Sequence, residues 1–319
     1  LKDTSKQMAL AEQDHNNPWL NISRKYHVHI ESLQYTNKCS EMQLKPNSEL
    51  SIQEARSQAV QFSRTVNGNC PFVGSVKEFD IPTSNTEGGI PITVYMPECS
   101  PAVPAILVYF HGGGLLIGSR ETNERSLHDI SAKTGTIIVN VGYRLLPCPE
   151  DVLAPFNDAV NVTDWVMKNK EAIGGSSESA VGVGGDNAGG HIACSVTEDI
   201  EGLNFQILIY PTVVNLSSHF ESYDEFLDIP VFNTTDLKWQ LHLTNLHVSA
   251  ENNNSRTDIL ARENLESSPS TLMIAAQLDP LRDAILLYAH KLDNAGVKVQ
   301  TEIIDGVPHG FFSFPGIFR

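Results

Sequence analysis

The stretch VGVGGDNAGGH, residues 181–191, decides the fold of this chain. Its first five residues form a short apolar, glycine-rich run of the kind that becomes a buried strand. The residues from Ala188 onward are apolar and suit a helix, and between the two segments lies a turn lined with glycine. The pattern predicts a strand, a tight turn with Asn187 at its apex, and a helix.

The sequence around this unit repeats the same alternation of strand and helix. Near-continuous apolar runs, typical of parallel strands that are covered on both faces, occupy 105–110, 136–141, 180–185, 205–210 and 271–276. Helical patterns lie between them, at about 121–133, 155–170, 187–200 and 281–295. This alternation predicts an α/β protein with a mostly parallel, doubly wound sheet.

Two further regions divide the chain into a core and a cap. Residues 1–66 are a mostly polar segment with a Ser-capped helical pattern at 48–62, which we assign to part of the cap. Residues 67–213 are the first part of the core, and they open with a predicted hairpin of edge strands at 75–82 and 90–97. Residues 214–268 are polar and aromatic and are predicted to be a cap insertion, and 269–319 complete the core.

The charge of the chain limits the partners it can have. The 319 residues carry 38 acidic against 22 Lys and Arg side chains, a formal net charge of −16. Such a surface repels nucleic acid and anionic membranes, and an apolar or neutral ligand fits it better. The sequence contains no apolar run of about 18 residues, so we expect no transmembrane segment, and it leaves the oligomeric state open.

Several features favour the secretory pathway. The chain begins with Leu1 rather than methionine, which suggests an N-terminus that has been processed. Possible N-glycosylation sequons are present, although chance alone would supply about three in a chain so rich in asparagine. They lie at Asn21, Asn161, Asn215, Asn233 and Asn253. We therefore expect a secreted protein or one in the lumen of the secretory pathway.

The cysteines are consistent with that compartment. Cys39, Cys70, Cys99 and Cys148 lie among loop-forming residues and could form two disulfides in three arrangements, of which Cys39 with Cys70 and Cys99 with Cys148 is preferred. Cys194 falls inside the apolar helix after the turn and is expected to be a buried hydrophobe. Because the Cys and His residues lack metal-ligand spacing, we expect no metal and no cofactor.

Four short motifs together supply the parts needed for acyl transfer. HGGG, residues 111–114, follows a predicted strand and could aim backbone N–H groups at a substrate oxygen. Asp279 follows another buried strand, and His309 lies in a glycine-flanked loop further on, so that the carboxylate could orient the imidazole. The turn at Asn187 has the form of the G-x-S-x-G nucleophile elbow. Each motif is common alone, but coincidence rarely produces all four in this order.

The chain resembles the hormone-sensitive-lipase family of α/β-hydrolases, which includes arylacetamide deacetylases and many carboxylesterases. The similarity covers roughly residues 48–314. It rests on HGGG (111–114), GYRLLPCPEDVLAPFNDAVNVTDWV (142–166), GDNAGG (185–190), LDPLRD (278–283) and HGFF (309–312). The resemblance implies an α/β-hydrolase fold with a helical cap.

The resemblance also implies the roles of the site residues. Asp279 and His309 take the positions of the acid and base, and position 187 is that of the nucleophile. The oxyanion hole is predicted at the amides of Gly113, Gly114 and Ala188. Contacts to a ligand are predicted for the neighbouring residues His111, Gly112, Leu115 and Asp186.

Asn187 is the departure from the family pattern. A carboxamide has no ionisable nucleophile, so His309 cannot activate it, although Asn tolerates the left-handed backbone of such a turn. We therefore predict a hydrolase-fold pseudoenzyme that binds an apolar or ester-like molecule, such as a lipid, terpenoid or carotenoid. The alternatives are a secreted serine carboxylesterase or lipase-like enzyme whose nucleophile has been replaced, and a structural or adhesive protein.

Other conspicuous residues are given structural roles. Tyr143 and Arg144 are expected to brace the site. His191 is expected to be a structural histidine with its hydrogen bonds satisfied, and His290 is expected to be packed or exposed to solvent. The aromatic residues of the insertion suit either the mouth of the pocket or packing of the cap on the core. They are Phe220, Tyr223, Phe226, Phe232 and Trp239.

Overall fold

A computed structural model describes residues 17–69, 71–84, 86–248 and 256–319. The helices are α1 (Leu20–Ser23), α2 (Ile30–Glu41), α3 (Ile52–Asn67), α4 (Glu124–Thr134), α5 (Ala154–Lys168), α6 (Ala188–Asp199), α7 (Glu221–Glu225), α8 (Thr234–His247) and α9 (Arg282–Asn294). The strands are β1 (Gly74–Thr83), β2 (Thr86–Pro97), β3 (Ile106–Phe110), β4 (Ile137–Val141), β5 (Val181–Asp186), β6 (Phe205–Ile209), β7 (Ser270–Leu278) and β8 (Val299–Pro308).

The strands form one sheet in the order β1-β2-β4-β3-β5-β6-β7-β8. The pairs β1–β2 and β2–β4 are antiparallel, and every later pair is parallel. All residues of β3, β4 and β5 are buried, as their continuous apolar sequences predict for strands covered on both faces. The predicted alternation of strand and helix is therefore present, with each core element within a few residues of its expected bounds.

The predicted hairpin forms, but only one of its strands lies at an edge. β1 pairs with β2 alone, whereas β2 also pairs with β4 through Ile92–Val141 and three further residue pairs. The prediction of two edge strands is therefore wrong for β2. Residues 92–95 of β2, which pair with β4, are all buried, as expected for a strand in the interior of a sheet.

The N-terminal helices and the insertion lie outside this alternation. α3 begins with a capping box, in which Ser51 and Glu54 each bond the other's backbone N–H, so the Ser-capped helix predicted at 48–62 begins later and extends to Asn67. The insertion between β6 and β7 contains α7 and α8, and α8 begins with a second capping box made by Asn233 and Asp236. Within the described ranges, no helix is both long and apolar enough to cross a membrane.

The preferred Cys99–Cys148 disulfide is not formed. Both are free thiols, and Cys39 and Cys194 are free as well, while Cys70 lies outside the described residues. Cys99 follows the end of β2, which lies beside the start of β4, whereas Cys148 comes after the end of β4. The two cysteines therefore lie beyond opposite ends of the five-residue strand β4, too far apart for an S–S bond. Cys194 is fully buried, as predicted.

Candidate active site

The turn at Asn187 has the strained geometry of a nucleophile elbow. Asn187 has φ 52° and ψ −117° and links the end of β5 directly to the start of α6. Its backbone N–H donates to the Ile209 carbonyl at 3.0 Å, and its own carbonyl accepts from the Thr212 N–H at 3.0 Å. Such a conformation is rare for residues other than glycine, and asparagine is one of those that tolerate it best. The side chain is thereby fixed at the carboxyl edge of the sheet.

His309 and Asp279 lie together beside this turn, as the sequence predicts. His309 Nδ1 is 2.7 Å from Asp279 Oδ2, and both side chains are almost entirely buried. His309 Nε2 is 3.0 Å from Asn187 Nδ2. Because an amide nitrogen donates and does not accept, Nε2 accepts this bond and Nδ1 carries the ring proton toward Asp279. The imidazole is thus held in the orientation that a general base requires.

The side chain of Asn187 bonds two of the three backbone amides that are predicted to form the oxyanion hole. Asn187 Oδ1 accepts hydrogen bonds from the backbone N–H groups of Gly113 at 3.2 Å and Gly114 at 3.1 Å. The third predicted donor, Ala188, is the first residue of α6. Gly113 has φ +117°, and a β-carbon there would lie 2.2 Å from the Ile117 carbonyl oxygen, so the loop requires glycine.

The carboxamide of Asn187 is fully hydrogen-bonded. Its oxygen takes the two glycine N–H groups, and its nitrogen donates to His309 Nε2 and to Thr212 Oγ1, the latter at 3.0 Å. An asparagine side chain has two donor hydrogens and two acceptor sites, and all four are used here. The sequence did not reveal Thr212, because its role depends on a contact across the sheet edge.

Three of the residues for which ligand contacts are predicted have hydrogen-bond partners within the protein. Asp186 Oδ1 accepts from Tyr109 Oη at 2.6 Å and from the Gly112 N–H at 2.9 Å. His111 Nδ1 donates to the Gly112 carbonyl at 2.8 Å, and its ring stacks on Tyr143 with centroids 4.3 Å apart. These groups are buried around the HGGG loop and bond its backbone, and contacts of His111, Gly112 and Asp186 with a ligand stay a prediction. Burial raises the pKa of the Asp186 carboxyl.

Tyr143 and Arg144 have the bracing role that the sequence predicts. Tyr143 Oη donates to the His111 carbonyl at 2.7 Å. Arg144 forms ion pairs with Asp158 at 2.8 Å and Asp151 at 3.0 Å, which fixes the segment after β4 against α5. Because Asp158 is fully buried, removing its partner would leave an uncompensated charge in the interior.

A small cavity lies next to the elbow. This elbow cavity, of about 110 Å³, is lined by Gly114, Leu115, Phe156, Ala188, His191, Thr212, Val214, Asn215, Leu216, Gln240, Leu241, Thr244, Asn245, Val248, Thr257 and Asp258. Of the predicted ligand contacts, Leu115 is among these lining residues. Its walls are mainly apolar, and Gly114, Ala188 and Thr212 border Asn187 directly.

A larger cavity, of about 720 Å³, is lined in part by Phe232. The Phe232 ring stacks on His309 with centroids 4.3 Å apart and an interplanar angle of 26°. It thus covers one face of the imidazole, and it also lines the larger cavity. Tyr223 and Phe226, from the same insertion, are buried by packing. Periodicity could not identify Phe232, because it lies in an irregular segment before α8.

The sequon asparagines have different surroundings. Asn21 is exposed in α1, and Asn161 is half-buried in α5. Asn215 lines the elbow cavity, and the Asn233 side chain caps α8, while Asn253 lies outside the described residues. Within the described part of the chain, no group of three His, Cys, Asp or Glu side chains could hold a metal ion.

The sheet topology and the strand–turn–helix unit at Asn187 together indicate the α/β-hydrolase fold. The pattern that describes the alpha/beta hydrolase fold family matches residues 107–313. The chain belongs to this family, and the fold predicted from the sequence is confirmed.

Related proteins are esterases and deacetylases. Ethyl acetate hydrolase of Pseudomonas putida is 28% identical, over 86% of this chain and 87% of that protein. Arylacetamide deacetylase of Mus musculus is 27% identical, over 72% of this chain and 74% of that protein. The crystal structure of a thermostable esterase from Pseudomonas putida ECU1011 superposes with a TM-score of 0.81, 25% identity and 92% coverage of each chain.

Two buried histidines predict a loss of stability in acid. Burial lowers the pKa of His111 and of His191 from 6.5 to about 4. Between these values the unfolded chain binds protons that the folded chain does not. The folded state therefore keeps its full stability above about pH 6.5. As the pH falls toward 4, the free energy of unfolding falls by about 3 kcal/mol for each histidine.

Urea unfolding as a function of pH tests this expectation. The free energy of unfolding should fall steeply between about pH 6.5 and 4, and His191→Gln should reduce that slope by about one proton. Glutamine can keep the bond that His191 Nε2 donates to the Arg256 carbonyl. The matched control is His290→Gln in α9, where the side chain is exposed. Equal slopes in the wild type and the His191 variant would contradict the assignment.

Proposed function

We propose that this protein binds a small, neutral and mostly apolar molecule in the elbow cavity and does not hydrolyse it. The observation that carries the proposal is the fully bonded carboxamide of Asn187 at the nucleophile position. His309 Nε2 accepts a hydrogen bond from the Asn187 amide nitrogen, and imidazole is too weak a base to remove a proton from that amide. No acyl-enzyme can form by this route, and loss of the serine from a comparable triad costs about 2 × 10⁶ in turnover.

The cavity supports a role in binding. Its volume of about 110 Å³ approaches the roughly 150 Å³ of an engineered apolar cavity in another protein that holds benzene. Leu115, Phe156 and Val214 give it an apolar lining, and the half-exposed Leu216 lies at its mouth. A ring or a short chain fits this space, and a longer lipid or terpenoid would extend outside it. The net charge of −16 disfavours an anionic ligand.

The proposal predicts binding without turnover. Isothermal titration with benzyl alcohol should show one saturable site, and p-nitrophenyl butyrate should be hydrolysed no faster than in buffer. Val214→Phe should weaken binding by about tenfold or more, because the larger ring occupies the cavity. An organic extract of the purified protein, analysed by mass spectrometry, would identify a retained natural ligand.

The control for Val214→Phe is Leu287→Phe, which enlarges an exposed side chain of α9 and leaves the cavity unchanged. Binding of benzyl alcohol that is absent, or equal in both variants, would overturn the ligand role. Hydrolysis by the wild type that disappears in His309→Ala would overturn the absence of catalysis.

The intact His309–Asp279 pair favours a second candidate, a carboxylesterase whose serine has been replaced. The two candidates differ in whether asparagine is encoded by the natural gene. Sequencing the transcript at codon 187 distinguishes them, since a serine codon would support the esterase and an asparagine codon the binding protein.

A further inference from the structure

The Gln240 side chain lines the elbow cavity but takes no part in the hydrogen bonds among Asn187, His309 and Asp279. It lies in α8, is 8% exposed and lines the cavity beside the oxyanion hole. A β-carbon added at Gly114 would lie 2.9 Å from Gln240 Cδ and 3.0 Å from Oε1, so the carboxamide packs directly against this glycine. Gln240 therefore packs against one of the two residues whose backbone amides Asn187 Oδ1 occupies.

The neighbouring polar groups already have partners. Thr244 Oγ1 donates to the Gly114 carbonyl at 3.0 Å, His191 Nε2 donates to the Arg256 carbonyl at 2.7 Å, and Asn215 Nδ2 donates to Asp258. The Gln240 side chain, in contrast, forms no hydrogen bond with any residue in the described ranges. The carboxamide is not one of the polar atoms that the protein encloses completely, so it is open to the cavity and can bond a molecule there.

We infer that Gln240 is the polar anchor of the ligand, and that the ligand is a small apolar molecule with one hydroxyl or carbonyl group. The inference rests on the proposed binding function. A carbonyl oxygen cannot use the Gly113 and Gly114 amides, because Asn187 Oδ1 accepts from both. The Gln240 carboxamide offers a donor and an acceptor in the same cavity, which match the acceptor and donor of a hydroxyl group.

A ligand pair tests the inference. Benzyl alcohol and toluene differ by one hydroxyl group, and their dissociation constants are measured by titration with the wild type and with Gln240→Leu. The ratio of the toluene constant to the benzyl alcohol constant should fall by about tenfold in the variant, as expected for the loss of one buried hydrogen bond. Toluene should bind the variant at least as tightly as the wild type.

The outcomes separate the two proposals. If both ligands bind and the ratio is the same in both proteins, Gln240 is not the anchor, although the binding function stands. If neither ligand binds the wild type, the binding function itself is wrong. Gln240→Met has a similar volume and replaces Gln240→Leu if circular dichroism shows that the latter is not folded; the same fall in the ratio is expected.

Discussion

Asn187→Ser should hydrolyse p-nitrophenyl butyrate on the order of 10⁴ to 10⁶ times faster than the wild-type chain. The remaining machinery is already in place, since His309 Nε2 lies 3.0 Å from the side chain of residue 187 and Asp279 holds Nδ1 at 2.7 Å. Serine would also vacate the oxyanion hole and free the Gly113 and Gly114 N–H groups for the substrate. Initial rates of p-nitrophenol release at neutral pH measure the gain.

Two further variants assign the gain to the nucleophile. Asn187→Ala empties the oxyanion hole without supplying a nucleophile, so it should remain several orders of magnitude slower than Asn187→Ser. Asn187→Ser combined with His309→Ala should lose the recovered activity, because the serine then has no base. A rate for Asn187→Ser within tenfold of the wild type would show that the site has diverged further. Phe232, which stacks on His309, would then be the first residue to test as a block to the substrate.

The core of the fold and the order of its motifs could be predicted because they depend on local pattern. The buried strands β3, β4 and β5 are short apolar runs, and a parallel sheet places their carboxyl ends at one edge. Asp279 follows β7 and His309 follows β8, which run parallel to those strands, so their positions place them at the same edge as Asn187. Topology explains why these residues meet, whereas the roles predicted for them follow from the family resemblance.

Features that depend on side-chain placement could not be predicted. Whether Asn187 Oδ1 enters the oxyanion hole depends on the contact between the elbow and a loop 74 residues earlier. Gln240 and Phe232 belong to the insertion between β6 and β7. The alternation of strand and helix does not continue there, so it could not predict where these side chains lie relative to the site. The cysteine pairing failed for a related reason, because local composition carries no information on the distance between Cys99 and Cys148.

Gly189→Ala should destabilise the protein by more than about 4 kcal/mol, enough to leave much of it unfolded. Gly189 lies in the first turn of α6, where the helix contacts the end of β3. A β-carbon there would lie 1.9 Å from the Phe110 carbonyl oxygen and 2.5 Å from its carbon. Both are backbone atoms and cannot rotate away, so helix and strand would have to separate. Urea unfolding, or the soluble yield where no folded protein remains, measures the effect.

The contact between Gly189 and Phe110 also keeps the HGGG loop in place beside Asn187. The HGGG loop begins directly after Phe110, so moving β3 away from α6 would also separate Gly113 and Gly114 from Asn187 Oδ1. The control is Gly296→Ala, where φ is +84° and nothing lies within 4 Å of the added carbon; it should cost only the backbone strain of about 1–2 kcal/mol. Because Gly189 does not have a positive φ, a loss for Gly189→Ala no larger than that for Gly296→Ala would show that the contact with Phe110 relaxes at little cost. A larger loss for Gly189→Ala would mean that the packing which forms the elbow also positions the amides that Asn187 occupies.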